Sequence, residues 1–455
     1  VEAEGVIKGI NTRELILGIL LETEVAGSYS HVVIRNVLEK YQYLEQKDRA
    51  FIKRVSEGTI EYKIRLDYII NQFSNVKTAK MKPVILNLLR MSVYQFLYMD
   101  HVPASAICNE AVKLAEKKGF YNLKGFVNGV LRNISRNIEN IKYPSAEKEP
   151  MDYLSVSYSM PMWIVKNWCE RYGFEKTEQM LLASLSHVGT TIRCNESKIS
   201  KEQLEERLKK EGVSVEKAKY LEYAFLIMDY DYLGALKCFR EGLFQVQDIS
   251  SMLVGEIAAV KKGMTIIDVC AAPGGKSLHL ADKLCGTGIV EARDLTEAKV
   301  ELIRSNVKQA GFQNVKVITK DATIFDEESV NKADILIADL PCSGLGVLSR
   351  KGDIKYHMTE AGQTDLVKLQ RKILHTIHTY VKPGGILIYS TCTINEAENE
   401  ENLNWFLSHY PYQTESLNPY LPKELINEET ESGYLQLLPG IHDTDGFFMA
   451  RLKRV

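Results

Sequence analysis

Apolar residues recur at three- and four-residue spacing from Asn11 to about Asn140, the spacing of amphipathic helices. Leu15, Ile16, Ile19 and Leu20 form one such face behind Asn11 and Thr12, residue types suited to capping a helix. The stretches 47–73, 83–99, 104–118 and 123–138 repeat the pattern, with Pro83 near a helix start and Gly119 near a helix end. The spacing predicts a compact all-α bundle over 1–145. A polar, proline-punctuated run at 141–155, with Tyr143-Pro144-Ser145 and Glu147-Lys148-Glu149-Pro150, reads as a linker. A helix at 161–172, a short strand at 190–195, a charged helix at 200–211 and a strand at 220–228 predict a small β-α-β subdomain within 146–240. From about Gly263 the period changes. Short β-branched or apolar runs at 265–269, 288–292, 315–319, 335–338 and 386–389 alternate with helices, and 447–452 adds a late antiparallel strand. That alternation predicts a doubly wound, mostly parallel α/β sheet across 241–455.

Composition adds little to this picture but excludes several alternatives. A chain of 455 residues with 45% hydrophobic and 25% charged positions is ordinary globular material, too long for one core. The longest apolar stretch, 83–99, is interrupted by Asn87, Arg90 and Gln95, so neither a membrane span nor a secretory signal is expected. The chain opens with Val1 rather than Met, and residues 1–10 carry none of the argument. Eight scattered cysteines form no CxxC pair, which argues against a zinc site and a disulfide scaffold and fits a reducing cytoplasm. The net charge of −2 conceals an asymmetry: 21 Lys and Arg face 15 Asp and Glu over 1–145, against 36 and 44 in the remainder. A basic front end suits a polyanionic partner.

Within the helical front end, Ile107-Cys108-Asn109-Glu110-Ala111-Val112-Lys113-Leu114-Ala115 and Phe126-Val127-Asn128-Gly129-Val130-Leu131-Arg132 resemble the signature of the NusB-type RNA-binding domain. In the α/β part, the first strand runs into Cys270-Ala271-Ala272-Pro273-Gly274-Gly275-Lys276-Ser277 and then a helix. Glycines at such a turn let a ligand approach the backbone, and the helix start offers N–H groups to an anion. Asp294 lies 19 residues beyond Gly275, near the offset of about 20 at which an acidic side chain meets ribose hydroxyls. Asp321 follows the third strand and Asp339 ends the fourth, so the acids fall along the carboxyl edge where such sheets bind ligands. The loop lacks the G-x-G-x-x-G dinucleotide fingerprint. Asp268-Val269-Cys270-Ala271-Ala272-Pro273-Gly274-Gly275-Lys276 resembles instead the cofactor loop of the Sun/Fmu (RsmB) family of cytosine-5 RNA methyltransferases. The resemblance implies a Rossmann-like class I methyltransferase domain with a seven-stranded sheet, and an S-adenosyl-L-methionine pocket lined by Cys270, Ala271, Ala272, Pro273, Gly274, Gly275, Lys276, Asp294, Asp321 and Asp339. Glu291-Ala292-Arg293 departs from the small or apolar residues expected beside the ribose-binding acid.

Methylating cytosine C5 demands activation, because that carbon is a poor nucleophile. A thiolate adding to C6 makes C5 enamine-like, and the thiolate is expelled after a base removes the C5 proton. Two cysteines suit this: Cys342 in Asp339-Leu340-Pro341-Cys342-Ser343-Gly344-Leu345-Gly346, and Cys392 in Ser390-Thr391-Cys392-Thr393, both after strands on the cofactor edge. The family resemblance implies that Cys392 is the nucleophile and that Cys342 assists product release. Asp339 is suited to hydrogen-bond the cytosine N3 edge, and Lys276 to serve the cofactor or base or to cap its helix. The target base must leave its stack, which favours unpaired or deformable RNA. Phe244-Gln245-Val246-Gln247-Asp248 and Asp445-Gly446-Phe447-Phe448 also resemble family motifs, and their aromatics suit a core. The family resemblance implies 16S ribosomal RNA as the substrate; no metal, no membrane and a monomeric protein are expected. Two rivals remain: an exocyclic-amine methyltransferase, which normally carries an aromatic where Cys342 stands, and a non-catalytic NusB-like RNA-binding factor, which needs neither thiol.

Overall fold

The computed structural model describes residues 11–186 and 189–455, so residues 1–10 lie outside it. Contacts divide the chain into two units, Val1–Leu185 with Leu348–His357, and Ser186–Val347 with Met358–Val455. The sequence pattern instead places breaks at 145/146 and 240/241. The difference has a physical cause in three helices between Pro150 and Ser184, the first of them beginning inside the polar run, that belong to the first unit.

In that unit α1 (Thr12–Val25), α2 (Ser30–Lys40), α3 (Gln46–Glu61), α4 (Lys63–Phe73), α5 (Pro83–Tyr98), α6 (Ala104–Lys117) and α7 (Lys124–Arg136) form the bundle. Asn11 caps α1 by accepting the Glu14 N–H, Pro83 opens α5, and Gly119 at φ 86° follows α6. The polar residues that interrupt the apolar run of α5 point inward: Arg90 is 4% exposed and bonded to Asp67 at 2.6 Å and Glu24 at 2.7 Å. The 47–73 stretch is not one helix. Tyr62 (φ −92°, ψ 17°) bends the chain between α3 and α4. Ser159, fully buried at φ 51°, accepts the opened N–H groups of Ile64 and Arg65 at 2.9 and 3.2 Å. It follows α8 (Pro150–Ser157), which occupies the expected linker and precedes α9 (Met162–Tyr172) and α10 (Phe174–Ser184). The segment Leu348–His357 joins the same unit: Asp353 accepts the Ser30 N–H at the start of α2 at 2.6 Å, and the Tyr356 hydroxyl donates to the Glu61 carbonyl at 3.0 Å.

The second unit begins with β1 (Thr190–Cys194), helix α11 (Lys201–Lys210), β2 (Ser214–Lys217), β3 (Ala224–Met228) and β4 (Phe244–Val246). Their antiparallel order is β2-β3-β1-β4, and a Ser200–Gln203 capping box starts α11. The larger sheet comprises β5 (Thr265–Asp268), β6 (Ile289–Asp294), β7 (Val315–Thr319), β8 (Ala333–Asp339), β9 (Val381–Thr391), β10 (Tyr412–Thr414), β11 (Tyr434–Leu437) and β12 (Phe447–Arg454). Seven strands run side by side as β10-β12-β9-β8-β5-β6-β7, and β11 pairs with β12. The five strands β5 to β9 are mutually parallel, while β12 is antiparallel to its neighbours. Alternation builds two cores: Ile266, Ile335, Ile337 and Ile388 face one way, and Ile267, Leu336, Leu387 and Tyr389 the other. Strand order reverses between β5 and β8, so a crevice opens at their carboxyl ends. Among the described residues no helix is long and apolar enough to cross a membrane, and no cluster of three or more His, Cys, Asp or Glu is fit to hold a metal.

Candidate active site

The loop leaving β5 turns through Gly274, at φ 107°, into helix Gly275–Lys283. A side chain at Gly274 would meet Ile303 at 3.4 Å as well as a left-handed backbone, so glycine is the residue that makes the turn. Ala271, Ala272, Pro273, Gly275 and Lys276 line a cavity with Asp268 and Asp339, and Gln247, Asp248 and Ser251 close its other side. Asp268 is 1% exposed; Oδ2 accepts the Ser277 hydroxyl at 2.6 Å, and Oδ1 has no hydrogen-bond partner. Burial pushes its carboxyl up to about 7, although the Ser277 bond works against the shift.

Not every expected cofactor residue opens on that cavity. Asp294, 3% exposed, turns back on the loop: Oδ2 accepts the Ala272 N–H at 3.0 Å and Oδ1 the Leu295 N–H at 2.8 Å. Asp321 caps its own turn by accepting the Thr323 N–H at 2.8 Å, and it lines a separate small cavity with Val269, Arg293 and Ile324. Burial, reinforced by Asp268, pushes the Cys270 thiol far up, so it stays protonated. The charged residues around Asp294 are compatible with a sheet interior because strand alternation separates them. Glu291 and Arg293 share a face, bond at 2.5 Å and are joined by Lys332 at 2.8 Å, while Ala292 lies on the other face in the apolar cluster of Ala271 and Ile303.

The two thiols meet. Cys342 Sγ lies 3.3 Å from Cys392 Sγ, although fifty residues separate them. The Cys342 loop is pinned by the Gly346 N–H, which donates to the Cys392 carbonyl at 3.1 Å, and by Ser343 Oγ, 2.7 Å from Thr393 Oγ1. The contact with Cys392, then burial, push the Cys342 thiol well above its ordinary range. Beside them Asp339 accepts from Lys276 at 2.7 Å and from Ser390 Oγ at 2.9 Å. Burial pushes the Lys276 ammonium down, but the Asp339 carboxylate and the Cys392 sulfur outweigh it and its charge is retained. A lysine that a thiolate stabilises also stabilises the thiolate. Lys276 Nζ stands 5.0 Å from the Phe447 ring centre, and Phe244, Phe447 and Phe448 are core residues.

Three groups here escaped the sequence reading. Gln247, in a stretch singled out for its aromatics, reaches the cavity. Gly346 and Gly446 are packed backbone to backbone, with the Gly446 N–H donating to the Gly346 carbonyl at 2.8 Å. Glu398, in the acid-rich run 396–401, is fully buried against the Cys342 loop, and nothing in the sequence marks it out from its acidic neighbours.

Paired thiols beside a glycine-turn cavity, at the switch point of a doubly wound sheet, mark the second unit as a group-transfer enzyme, and the comparisons identify the group as methyl. Residues 256–453 match the family described as 16S rRNA methyltransferase RsmB/F, residues 160–230 the ferredoxin-like domain of RsmF/B-like methyltransferases, and residues 10–136 the NusB family. The chain is similar to the probable ribosomal RNA small subunit methyltransferase B of Bacillus subtilis, at 35% identity over 98% of this chain and 100% of the relative. A Synechocystis protein of the same description is 32% identical over 98% of this chain and all of its own length. The crystal structure of PH0851 superimposes with a TM-score of 0.82 at 24% identity, covering 98% of this chain and 99% of that one. This protein belongs to the RsmB/F family of 16S rRNA methyltransferases.

Proposed function

We propose that the enzyme transfers a methyl group from S-adenosyl-L-methionine to carbon 5 of a cytosine in 16S ribosomal RNA, through a covalent bond between Cys392 and cytosine C6. The observation that carries this reading is the 3.3 Å approach of the Cys342 and Cys392 sulfurs beside the Lys276–Asp339 pair. An exocyclic-amine methyltransferase needs neither thiol.

The cavity suits the proposed donor. An amino-acid moiety brings an ammonium and a carboxylate; Asp268 Oδ1 is buried without a partner there, and Lys276 sits at a helix start whose first N–H groups lack intrahelical acceptors. When bound, S-adenosyl-L-methionine supplies an electrophilic methyl carbon on a sulfonium. Lys276 holds the Cys392 thiolate ready, and the thiolate electron pair forms the S–C6 bond while N3 takes a proton from solvent beside Asp339. With the cofactor supplying its methyl group to C5, that proton would return to solvent while Asp339 holds the N3 edge. A solvent base takes the C5 proton, which re-forms the C5–C6 double bond and expels Cys392 as thiolate, with Cys342 assisting release. Unpaired or deformable RNA suits this chemistry, because the base must leave its stack.

Cys392→Ala is expected to abolish methyl transfer with cofactor affinity nearly unchanged, and Cys342→Ala to accumulate a protein–RNA adduct. Denaturing gel migration after incubation with 5-fluorocytosine RNA checks the first step, because only a thiol bound to C6 leaves a shifted band. Methyl transfer by Cys392→Ala at the normal rate would refute the assignment.

A further inference from the structure

Each catalytic loop leans on the same buried carboxylate. Glu398 is 0% exposed. Its Oε2 accepts the Ser343 N–H at 2.9 Å, one residue from Cys342, and Gln370 Nε2 at 2.9 Å. Its Oε1 accepts Asn395 Nδ2 at 3.0 Å, three residues from Cys392. Gln370 Nε2 also donates to the Pro341 carbonyl at 2.9 Å, on the other side of Cys342. Asn399, equally buried, anchors the Cys392 side by donating to the Thr393 carbonyl at 3.0 Å. Three N–H donors converging on one side chain match a carboxylate, an acceptor at both oxygens, and not an amide, which would turn N–H toward N–H. A structural latch could be built from a neutral acceptor. A buried anion is costly to desolvate, so its retention calls for a task that charge performs.

We propose, resting on the reading above, that Glu398 is a positioning residue that holds the two sulfurs in register and, by its charge, decides which of them is the nucleophile. Lys276 interacts with Cys392, and Glu398 with Cys342. The cation therefore acts on one sulfur of the pair and the buried anion on the other. Such a field drives negative charge toward Cys392 and leaves the proton of the pair on Cys342. Without it, two thiols in contact are chemically near-equivalent.

Alkylation with iodoacetamide, in which a thiolate displaces iodide, reads that asymmetry in the full-length protein without RNA or cofactor. Peptide mass mapping at neutral pH is expected to show Cys392 labelled at least tenfold faster than Cys342 in the wild type. In Glu398→Gln that ratio is expected to fall at least fivefold, and in Glu398→Asp to fall at least twofold but less than in the glutamine variant, because the charge remains and withdraws by one methylene. A purely structural role would change both labelling rates together and leave their ratio alone. A Glu398→Gln ratio within twofold of wild type overturns the inference; if that variant does not fold, an unchanged ratio in Glu398→Asp does so. Methyl transfer to RNA is expected to drop at least tenfold in Glu398→Gln with KM for RNA within threefold. The two readings fail separately: a shifted ratio with no wild-type adduct on 5-fluorocytosine RNA sinks the C6 mechanism alone, and a normal adduct with an unshifted ratio sinks the role of Glu398 alone.

Discussion

Asp268 carries an electrostatic burden that its neighbours only partly relieve. Its carboxyl titrates at about 7 in the fold, against 3.8 for the ordinary side chain, because burial penalises the anion. A carboxyl whose pKa is raised by folding favours the folded state while protonated, so its contribution is full below about pH 4 and is lost as the pH climbs through 7. Asp268→Asn keeps an acceptor for Ser277 and removes the charge. It is expected to stabilise the second unit at pH 8, by about 4 kcal/mol at most, and to have almost no effect at pH 4. Urea unfolding at the two pH values checks this, and equal effects at both would exclude the burial argument. The same substitution should weaken cofactor binding, which would make Asp268 a site where stability is given up for affinity.

At the scale of elements, the decisive contact is the crossing of the Cys342 loop with the turn before β12. A side chain on Gly346 would sit 1.9 Å from the Gly446 carbonyl oxygen and 2.9 Å from that of Cys392. Both obstacles are backbone, so Gly346→Ala must move a loop. Methyl transfer is expected to fall at least tenfold, with a loss of about 1–3 kcal/mol from the second unit's unfolding free energy, read by denaturant melts. Normal activity in this variant would mean that the loop tolerates displacement.

Pattern alone located the parallel strands well, and β7 at 315–319 matches to the residue: although it is a half-exposed edge strand, its Val, Val, Ile and Thr are β-branched residues that favour extended backbone. It failed where local signals conflict. Tyr62 breaks the 47–73 stretch without Gly or Pro, since the partner that permits the break, Ser159, lies far along the chain. Helix α8 hides in a proline-marked polar run, although Pro150 in fact opens it. At the candidate site, cysteines and glycines stand out in a sequence because few positions use them after strand ends. Glu398 does not, because one buried glutamate among Glu396, Glu400 and Glu401 shows only through its exposure.

For the molecule as a whole, charge and connectivity matter most. The excess of Lys and Arg over 1–145, 21 against 15 acidic residues, predicts an RNA affinity that falls with ionic strength. For about four phosphate contacts, log affinity should fall with log salt at a slope near −3, measured by filter binding with the full chain. Replacing Lys113 and Arg132, exposed beside the buried Ala111, Leu114 and Leu131 of the NusB-like signature, should reduce that slope by about 1 to 2. A slope near zero would remove the basic surface from the account of RNA recognition.

The excursion of Leu348–His357 into the first unit bears on heredity as well as on stability. A recombination event that carried off residues beyond 185 alone would strand ten residues whose Asp353 and Tyr356 are bonded to Ser30 and Glu61. Neither half can be traded between genomes as an independent cassette without rewriting that stitch.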